Sequence, residues 1–411
     1  MLDHFRKDPL LYLAGAAVIA TSLSIAAFEI LMGAALVALI VDRARLRVPP
    51  VWIPLALFMF GTIVSLAASG HAREGLPQVK KFYIYLMLFL VVSAFRSIRQ
   101  IRWVALGWSL AAAASAVWGM QQFFRKYEKA RETHQAFYNY YVANRITGFA
   151  DHWMTLGGEL MIALLVIAAI VCLGTDRRWT LWLLALAVPV SIALEETWTR
   201  STWLGGVCGG LYLIWFWRRW AVLAVPALIA VLLLINPFDI RERAMSAFSP
   251  HGKTDSNAHR EELRDIGWKM IEAHPWLGVG PEQVSKQYQN YLPAGMQHPK
   301  QGEYYGHLEN DYIQYAAERG VPTMLALMWV IGQALFDFAR ALRTLPKGAE
   351  VRWILHAAIA VTIAMLVSGF YSWNLNGSAL LAMYLAVLGC GYAAILPSSN
   401  SSASPAEPAR S

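Results

Sequence analysis

Apolar runs long enough to cross a bilayer recur along almost the whole chain. A transmembrane helix needs about 20 apolar residues. Candidate stretches fall at 9–25, 27–42, 51–69, 80–95, 102–122, 154–174, 179–196, 202–217, 220–236, 321–339, 352–371 and 377–396. About twelve such spans predict an all-α polytopic membrane protein. The balance of residues agrees: 57% are hydrophobic and 15% charged, against about 45–50% and 25% in soluble domains. Seventeen tryptophans and seventeen tyrosines suit aromatic belts at the two interfaces. Met1 to Lys7 is short and charged, and the apolar run behind it is too long for a cleavable signal peptide.

Basic clusters set the orientation. Arg6 and Lys7 precede the first run, and Arg43, Arg45 and Arg47 follow the second. Both clusters prefer the cytoplasm, so an even number of crossings separates them. The same test places Arg96, Arg99 and Arg102, then Arg177 and Arg178, then Arg218 and Arg219, then Arg340, Arg343, Lys347 and Arg352 on that side. The net charge of +8 is thereby assigned to membrane ends rather than to nucleic-acid binding. The opposite side receives 70–79, 123–153, 195–201, 237–320 and 372–376. The expected organisation is a bundle over 1–236, an extracytoplasmic loop with an amphipathic helix over 237–320, further spans over 321–396, and a disordered cytoplasmic tail over 397–411. The tail is rich in Ser, Pro and Ala, which bury too little apolar surface to order it.

Arginines remain on the extracytoplasmic side, against the usual charge bias, and they mark where chemistry could sit. Arg145 lies in Asn144-Arg-Ile-Thr-Gly148, and Arg200 in Glu195-Glu-Thr-Trp-Thr-Arg-Ser201. Arg260 and Arg264 lie in the large loop, Arg264 on a predicted helix from Glu261 to His274. On that helix Leu263, Ile266, Gly267, Met270 and Ile271 share one face, so it lies flat on the membrane or caps the bundle. Pro275 ends it, and Gly278 and Gly280 make a turn. Guanidinium groups suit a diphosphate, because a planar fork donates paired hydrogen bonds and stays charged. The same arginines would equally serve as interfacial anchors or partners of Glu195, Glu196 or Asp265.

His307 precedes a helix start, and helical spacing puts His307, Asp311 and Gln314 near one face with Asn310 beside them. Histidine, with an ordinary pKa near 6.5, accepts a proton at neutral pH. Glu309 and Asp311 are carboxylate competitors, and a helix-capping role for His307 is the plain alternative. No His-Glu-x-x-His pattern or phosphate-binding Gly-Lys-Ser/Thr loop occurs, which argues against a zinc hydrolase and an ATP-driven transporter. No Gly-x-Ser-x-Gly elbow occurs either. Cys172, Cys208 and Cys390 all lie in apolar runs, so no disulfide framework is expected. Gly205, Gly206, Gly209 and Gly210 read as helix-packing positions.

Taken in order, these segments resemble the O-antigen ligase and polymerase superfamily of bacterial inner-membrane glycosyltransferases. Arg264-x-x-x-Trp268 followed by His274-Pro-Trp-Leu-Gly-Val-Gly280 is similar to its Arg-x-x-x-Trp…Pro-x-x-Gly-x-Gly segment. His307-Leu-Glu-Asn-Asp-Tyr-Ile-Gln314, leading to Glu318-Arg-Gly320, is similar to its His-x-His-Asn-x-Tyr-Leu-Gln…Glu-x-Gly signature. Thr199-Arg-Ser-Thr-Trp203 and Arg145-Ile-Thr-Gly148 resemble two further elements. Where relatives carry a second histidine, this chain has Glu309.

The resemblance implies a fold like the C-class membrane glycosyltransferases, and a metal-independent inverting transfer with no cofactor. The implied donor is a glycan on undecaprenyl diphosphate. The acceptor is a lipid A–core sugar for a ligase, or another lipid-linked repeat for a polymerase; the ligase is preferred. It implies His307 as base with Glu309 as the alternative, and Arg145, Arg200, Arg264 and Arg260 on the diphosphate at the periplasmic face. A transporter of lipid-linked glycan is the competing class. It would be expected to show repeated halves and polar residues within its spans, and neither is evident.

Overall fold

The computed structural model describes residues 8–43, 45–236, 240–245, 256–292 and 305–396. The predicted tail at 397–411 and three parts of the 237–320 loop (237–239, 246–255 and 293–304) lie outside these residues. Helices follow one another as α1 (Pro9–Ala20), α2 (Ile25–Val41), α3 (Trp52–Ala68), α4 (Ala72–Lys80), α5 (Phe82–Ala94), α6 (Ile98–Glu132), α7 (Phe137–Ala143), α8 (Trp153–Leu173) and α9 (Thr180–Glu196). They continue as α10 (Arg200–Trp217), α11 (Ala224–Ile235), α12 (Ile240–Met245), α13 (Ser256–Ala273), α14 (Val284–Gln287), α15 (Asp311–Arg319), α16 (Val321–Thr344), α17 (Arg352–Ser368) and α18 (Ser378–Ile395).

Every apolar stretch picked out in the sequence contains a helix. Six helical segments are long and apolar enough to cross a membrane: Ala72–Ala94, Ile98–Glu132, Trp153–Leu173, Arg177–Glu196, Val321–Thr344 and Ser378–Ile395. Shorter apolar helices, α1, α2, α3 and α17 among them, pack beside these. The centre is α8, which lies against α6, α9, α10, α17 and α18. Its glycines let neighbours in: a Cβ on Gly157 would stand 3.0 Å from Thr202 Oγ1, and one on Gly158 2.7 Å from Leu380. On α10, Gly205 and Gly209 face the backbone of α17, where a Cβ would come within 2.6 and 2.7 Å of the Ala364 and Ala360 carbonyls. Gly206 and Gly210 face away from that contact. Small residues four apart thus set the α10–α17 approach, as in membrane helix pairs generally.

Two segments differ from expectation. The stretch expected as a loop at 70–79 is the helix α4, which runs almost directly into α5. Polar ties hold it in place: Gln283 Nε2 donates to Glu74 at 2.9 Å, Lys286 pairs with Glu74 at 2.6 Å, and Gln78 Nε2 donates to Asn376 Oδ1 at 2.9 Å. The fifth predicted span ends at 122, but α6 continues to Glu132 as a 35-residue helix. Its amphipathic end finds partners in α7, where Phe123 packs edge-on against Phe137 and Tyr141.

The large loop docks on the bundle through α13 and α15. Leu263, Ile266, Met270 and Ile271 are buried, each such side chain contributing about 1.5–3 kcal/mol. A Cβ on Gly267 would meet Ile313 and Leu308, so this face caps the bundle rather than lying on lipid. After Pro275 the chain turns with positive φ at Gly278 and Gly280. It then adds two backbone bonds to the end of α15: Val279 N–H to Ala317 O at 2.8 Å and Gly280 N–H to Glu318 O at 2.9 Å. Val321 N–H returns a bond to Pro275 O at 2.8 Å. Side chains are excluded at this junction, because a Cβ on Gly278 would strike the Glu318 backbone and one on Gly320 the Trp276 carbonyl. The glycines of the two motifs therefore lock one motif against the other.

Beneath that junction, Glu318 is 1% exposed. Its Oε1 accepts from Gln314 Nε2 at 2.8 Å and from Glu282 N–H at 3.1 Å. Arg319 donates to Gln78 Oε1 at 2.9 Å and lies 4.5 Å over the Tyr315 ring. Burial raises the Glu318 carboxyl to about 7, with Arg319 opposing.

Two outcomes are expected. Gly320→Ala, with φ at +80° and a backbone carbonyl in the way, should cost at least about 2 kcal/mol, read as a lower thermal midpoint in detergent. For Glu318, whose folded value lies above the ordinary 4.5, the folded chain binds more protons between about pH 4.5 and 7, so stability falls as pH rises through that window. Glu318→Gln should flatten this fall in unfolding midpoints measured from pH 5 to 8; an unchanged slope would remove Glu318 as its source.

Candidate active site

Four arginines from four parts of the chain meet at one rim of the bundle. Arg145 is placed by ties between its loop and α6. Lys126 Nζ donates to the Arg145 carbonyl at 2.5 Å, and Gln122 Oε1 accepts from Thr147 N–H and Gly148 N–H, each at 3.0 Å. Gly148 has φ +57°, and a Cβ there would sit 2.6 Å from Ser115 Oγ, which accounts for glycine three places after the arginine. The Arg145 side chain donates from Nε to Val142 O at 3.0 Å and lies 4.7 Å over the Trp153 ring.

Arg200 begins α10, just past a tight turn whose apex, Trp198, has φ +48° and is fully buried. Aromatic side chains brace that turn. The Trp198 ring lies 4.9 Å from Tyr141 and 5.3 Å from Tyr138, and Tyr141 OH donates to Glu196 O at 2.6 Å. Arg243, on α12, is 6% exposed and donates from Nε to Trp198 O at 3.0 Å. Arg260, on α13, keeps a buried Nε without a hydrogen-bond partner.

The arginines feel one another. Burial, then the charges of Arg243, Arg260 and Arg200, push the Arg145 guanidinium down to about 9, with Tyr141 opposing. At neutral pH it is still a cation. Burial and Arg260 likewise lower Arg243, against the support of Tyr138. Half-buried like charges of this kind lose less to solvent screening than surface charges do, so the cluster is primed for a polyanion. Of the arginines named from sequence, Arg145, Arg200 and Arg260 share this field. Arg264, one turn past Arg260, is exposed and is not among the charges acting on Arg145 or Arg243. Arg243 was missed in the sequence, although its signal was present: a basic residue just beyond the apolar run 220–236, on the side that the charge pattern assigns as extracytoplasmic.

His307 does not share a helical face with Asp311 and Gln314. Asn310 caps α15, its Oδ1 accepting from Ile313 N–H at 3.0 Å, so the helix starts too late to include His307. Instead, the motif residues hold the loop that presents it. Asn310 Nδ2 donates to Phe370 O at 3.0 Å. Asp311, buried and raised well above its usual range by that burial, accepts from Leu375 N–H at 3.1 Å. Gln314 Oε1 accepts from Leu308 N–H at 2.7 Å.

The His307 ring leans on Trp373, centroids 5.4 Å apart, with Nδ1 3.8 Å from Glu309 Oε1. Glu309 sits at φ +49°, which turns its side chain back toward the imidazole. Both His307 Nδ1 and Glu309 Oε2 are buried without a hydrogen bond. His152, whose Nδ1 accepts from Met154 N–H at 3.2 Å, joins the two halves of the site. Burial, then the charges of Arg145 and His307, lower its pKa. Among the described residues no three His, Cys, Asp or Glu side chains come close enough to hold a metal ion.

The fold and site thus define a polytopic helical membrane protein with an imidazole–carboxylate pair near a cationic rim. Residues 184–328 match the family model for O-antigen ligase, a segment that contains Arg200, Arg243, Arg260, His307 and Glu309. Over that segment the chain is similar to the O-antigen ligase and polymerase superfamily, enzymes of glycosyl transfer in O-antigen synthesis. No curated protein gives a significant match.

Inorganic pyrophosphate at 100 times its Kd should stabilise the purified protein by about 2.7 kcal/mol, and less as salt rises. Arg145→Gln and Arg260→Gln should lose most of that thermal shift, while Arg264→Gln keeps it. Equal losses in Arg260→Gln and Arg264→Gln would contradict the division drawn between them.

Proposed function

We propose that this protein is an O-antigen ligase, transferring a glycan from undecaprenyl diphosphate to a lipid A–core sugar at the periplasmic face of the bacterial inner membrane. The observation that carries the reading is the meeting of Arg145, Arg200, Arg243 and Arg260 near His307. Such a site has the two things that an inverting transfer without a metal needs: a base for the acceptor hydroxyl and fixed positive charge for the leaving diphosphate. In this reading about twelve spans cross the membrane, both termini are cytoplasmic, and the fold is of the C class.

His307 removes the acceptor proton while the hydroxyl oxygen attacks C1 of the donor sugar. The C1–O bond to the diphosphate breaks, and the configuration at C1 inverts. The negative charge growing on undecaprenyl diphosphate falls on the arginines, which are already oriented and pay little reorganisation at that moment. Glu309 acts through His307 rather than as a rival base. Its carboxylate lies on the Nδ1 side, which leaves Nε2 for the acceptor and stabilises the imidazolium that forms, as an orienting carboxylate does in other acid–base pairs. Arg264, exposed at the same helix, is retained as a peripheral contact for the donor. A polymerase, using a second lipid-linked repeat as acceptor, would employ the same donor half of the site.

Reconstitution with lipid-linked glycan and lipid A–core tests the assignment. Product on lipid A–core is expected. A lengthened lipid-linked chain would instead make the protein a polymerase, and donor crossing the bilayer without product would make it a transporter. His307→Ala should slow transfer by about 10²–10⁴-fold with donor binding kept. Normal turnover by that variant would remove His307 as the base.

A further inference from the structure

Among the described residues Trp276 is the most exposed tryptophan, 76% open, yet it lies in the polar loop and not on an apolar helix. Leu277 beside it is 41% exposed. The buried face of α13, formed by Leu263, Ile266, Met270 and Ile271, leaves both out. The backbone fixes the height of this pair. Pro275 O accepts from Val321 N–H at 2.8 Å, and a Cβ on Gly320 would strike the Trp276 carbonyl. Val321 begins α16, one of the helices long and apolar enough to cross a membrane. A Cβ on Gly280 would strike Ser69, the residue that ends α3. The segment from Pro275 to Gly280 therefore rests on the ends of two apolar helices. Packing fixes its place around the bundle as well. On α16, Pro322, Leu325, Trp329, Gly332 and Phe336 recur every three or four residues and are all exposed, which makes them its lipid-facing stripe. Val321 and Met324 touch the α13 core, and Leu325 stands one turn from Val321 on the same surface. The loop thus stands at the edge of the bundle, where lipid begins, and not over its centre.

We propose that Trp276 and Leu277 insert into the membrane leaflet beside the start of α16 and anchor the loop to lipid. The proposal rests on α16 as a membrane span. The exposed face of α13 shows the contrast: it carries Glu261, Arg264, Asp265 and Glu272 beside Trp268, the mixture of a surface in water. Past Pro275 the exposed side chains change to tryptophan and leucine. An indole, apolar over most of its ring and carrying one N–H, suits the boundary between acyl chains and head groups. A lipid surface is the occupant because the pair stands at the height of that boundary and continues the stripe that begins at Pro322 and Leu325. The helix with Arg260 is then held twice, along its face by the bundle and at its end by the membrane.

The test uses the full chain in phosphatidylcholine nanodiscs, with Cys172, Cys208 and Cys390 replaced by alanine. A nitroxide is attached in turn at Trp276→Cys, Leu325→Cys and Glu261→Cys. Its collisions with oxygen, which prefers lipid, and with a nickel chelate, which stays in water, report depth. The label at Trp276→Cys is expected about 5 Å into the boundary between head groups and acyl chains, deeper than Glu261→Cys and shallower than Leu325→Cys. A label there as open to the chelate as Glu261→Cys overturns the proposal. So does one shielded from both reagents, because protein would then cover the site. Free access of the chelate to Leu325→Cys would overturn the reading of α16 as a span, and the anchor with it. A second measurement keeps the native cysteines. Trp276→Phe should remove a component of the tryptophan emission that lipids brominated near the head-group end of their chains quench. Loss of a component that those lipids leave unquenched also overturns the proposal.

Discussion

Like charges stay together in a half-buried rim only when the surrounding backbone is held by bonds that do not depend on them. That condition governs this structure. The charges of Arg243 and Arg260 lower the proton affinity of Arg145, and that of Arg260 lowers Arg243, so the cluster opposes its own assembly. The backbone around it is held by bonds that the guanidiniums do not make: Gln122 fastens Thr147 and Gly148, and the Trp198 turn is clasped by Tyr138 and Tyr141, while Arg145 and Arg243 each add a bond to a backbone carbonyl. A bound polyanion would remove the repulsion while leaving those contacts intact, so binding and stability are expected to rise together.

The opposite side of the site is built on a different principle. There the motif from His307 to Gly320 is mostly scaffold. Asn310, Asp311 and Gln314 satisfy backbone groups of the Leu308 loop and of the connection after α17. Glu318 and Gly320 dock the turn that follows α13. His307 and Glu309 are left with polar atoms unsatisfied at the start of the motif, and Glu318 Oε2 and Arg319 Nε at its end. On the function proposed here, Asn310, Asp311 and Gln314, whose hydrogen bonds go to the backbone, position His307 and Glu309, which keep theirs for a substrate.

Much of this was legible in the sequence because it rests on local periodicity. Each apolar stretch yielded a helix, the amphipathic face of Leu263, Ile266, Met270 and Ile271 was buried as its spacing required, and Gly278 and Gly280 did turn the chain. What was not legible depended on where helices begin and how they are rotated. Arg260 and Arg264 are one turn apart and look equivalent in a string of letters; only the seating of α13 on Ile313 separates the half-buried one from the exposed one. His307 seemed helical because nothing in its spacing reveals that Asn310 caps the helix after it. Arg243 was visible as a basic residue after an apolar run, but the partner that ties it to the cluster, the Trp198 carbonyl, lies 45 residues away.

The unusual length of α6 has a consequence for where the site stands. Gln122 and Lys126, which fasten the Arg145 loop, lie about 36 and 42 Å along the helix from Ile98, whereas the hydrocarbon layer is about 30 Å thick. If the Ile98 end of α6 is seated at the cytoplasmic interface, the opposite fastening points fall just above the acyl chains, at the depth of lipid phosphates. A continuous helix stretches little, so this one behaves as a ruler. So seated, it would measure the membrane from its far face and hold the cations at the height where a lipid's phosphates stand.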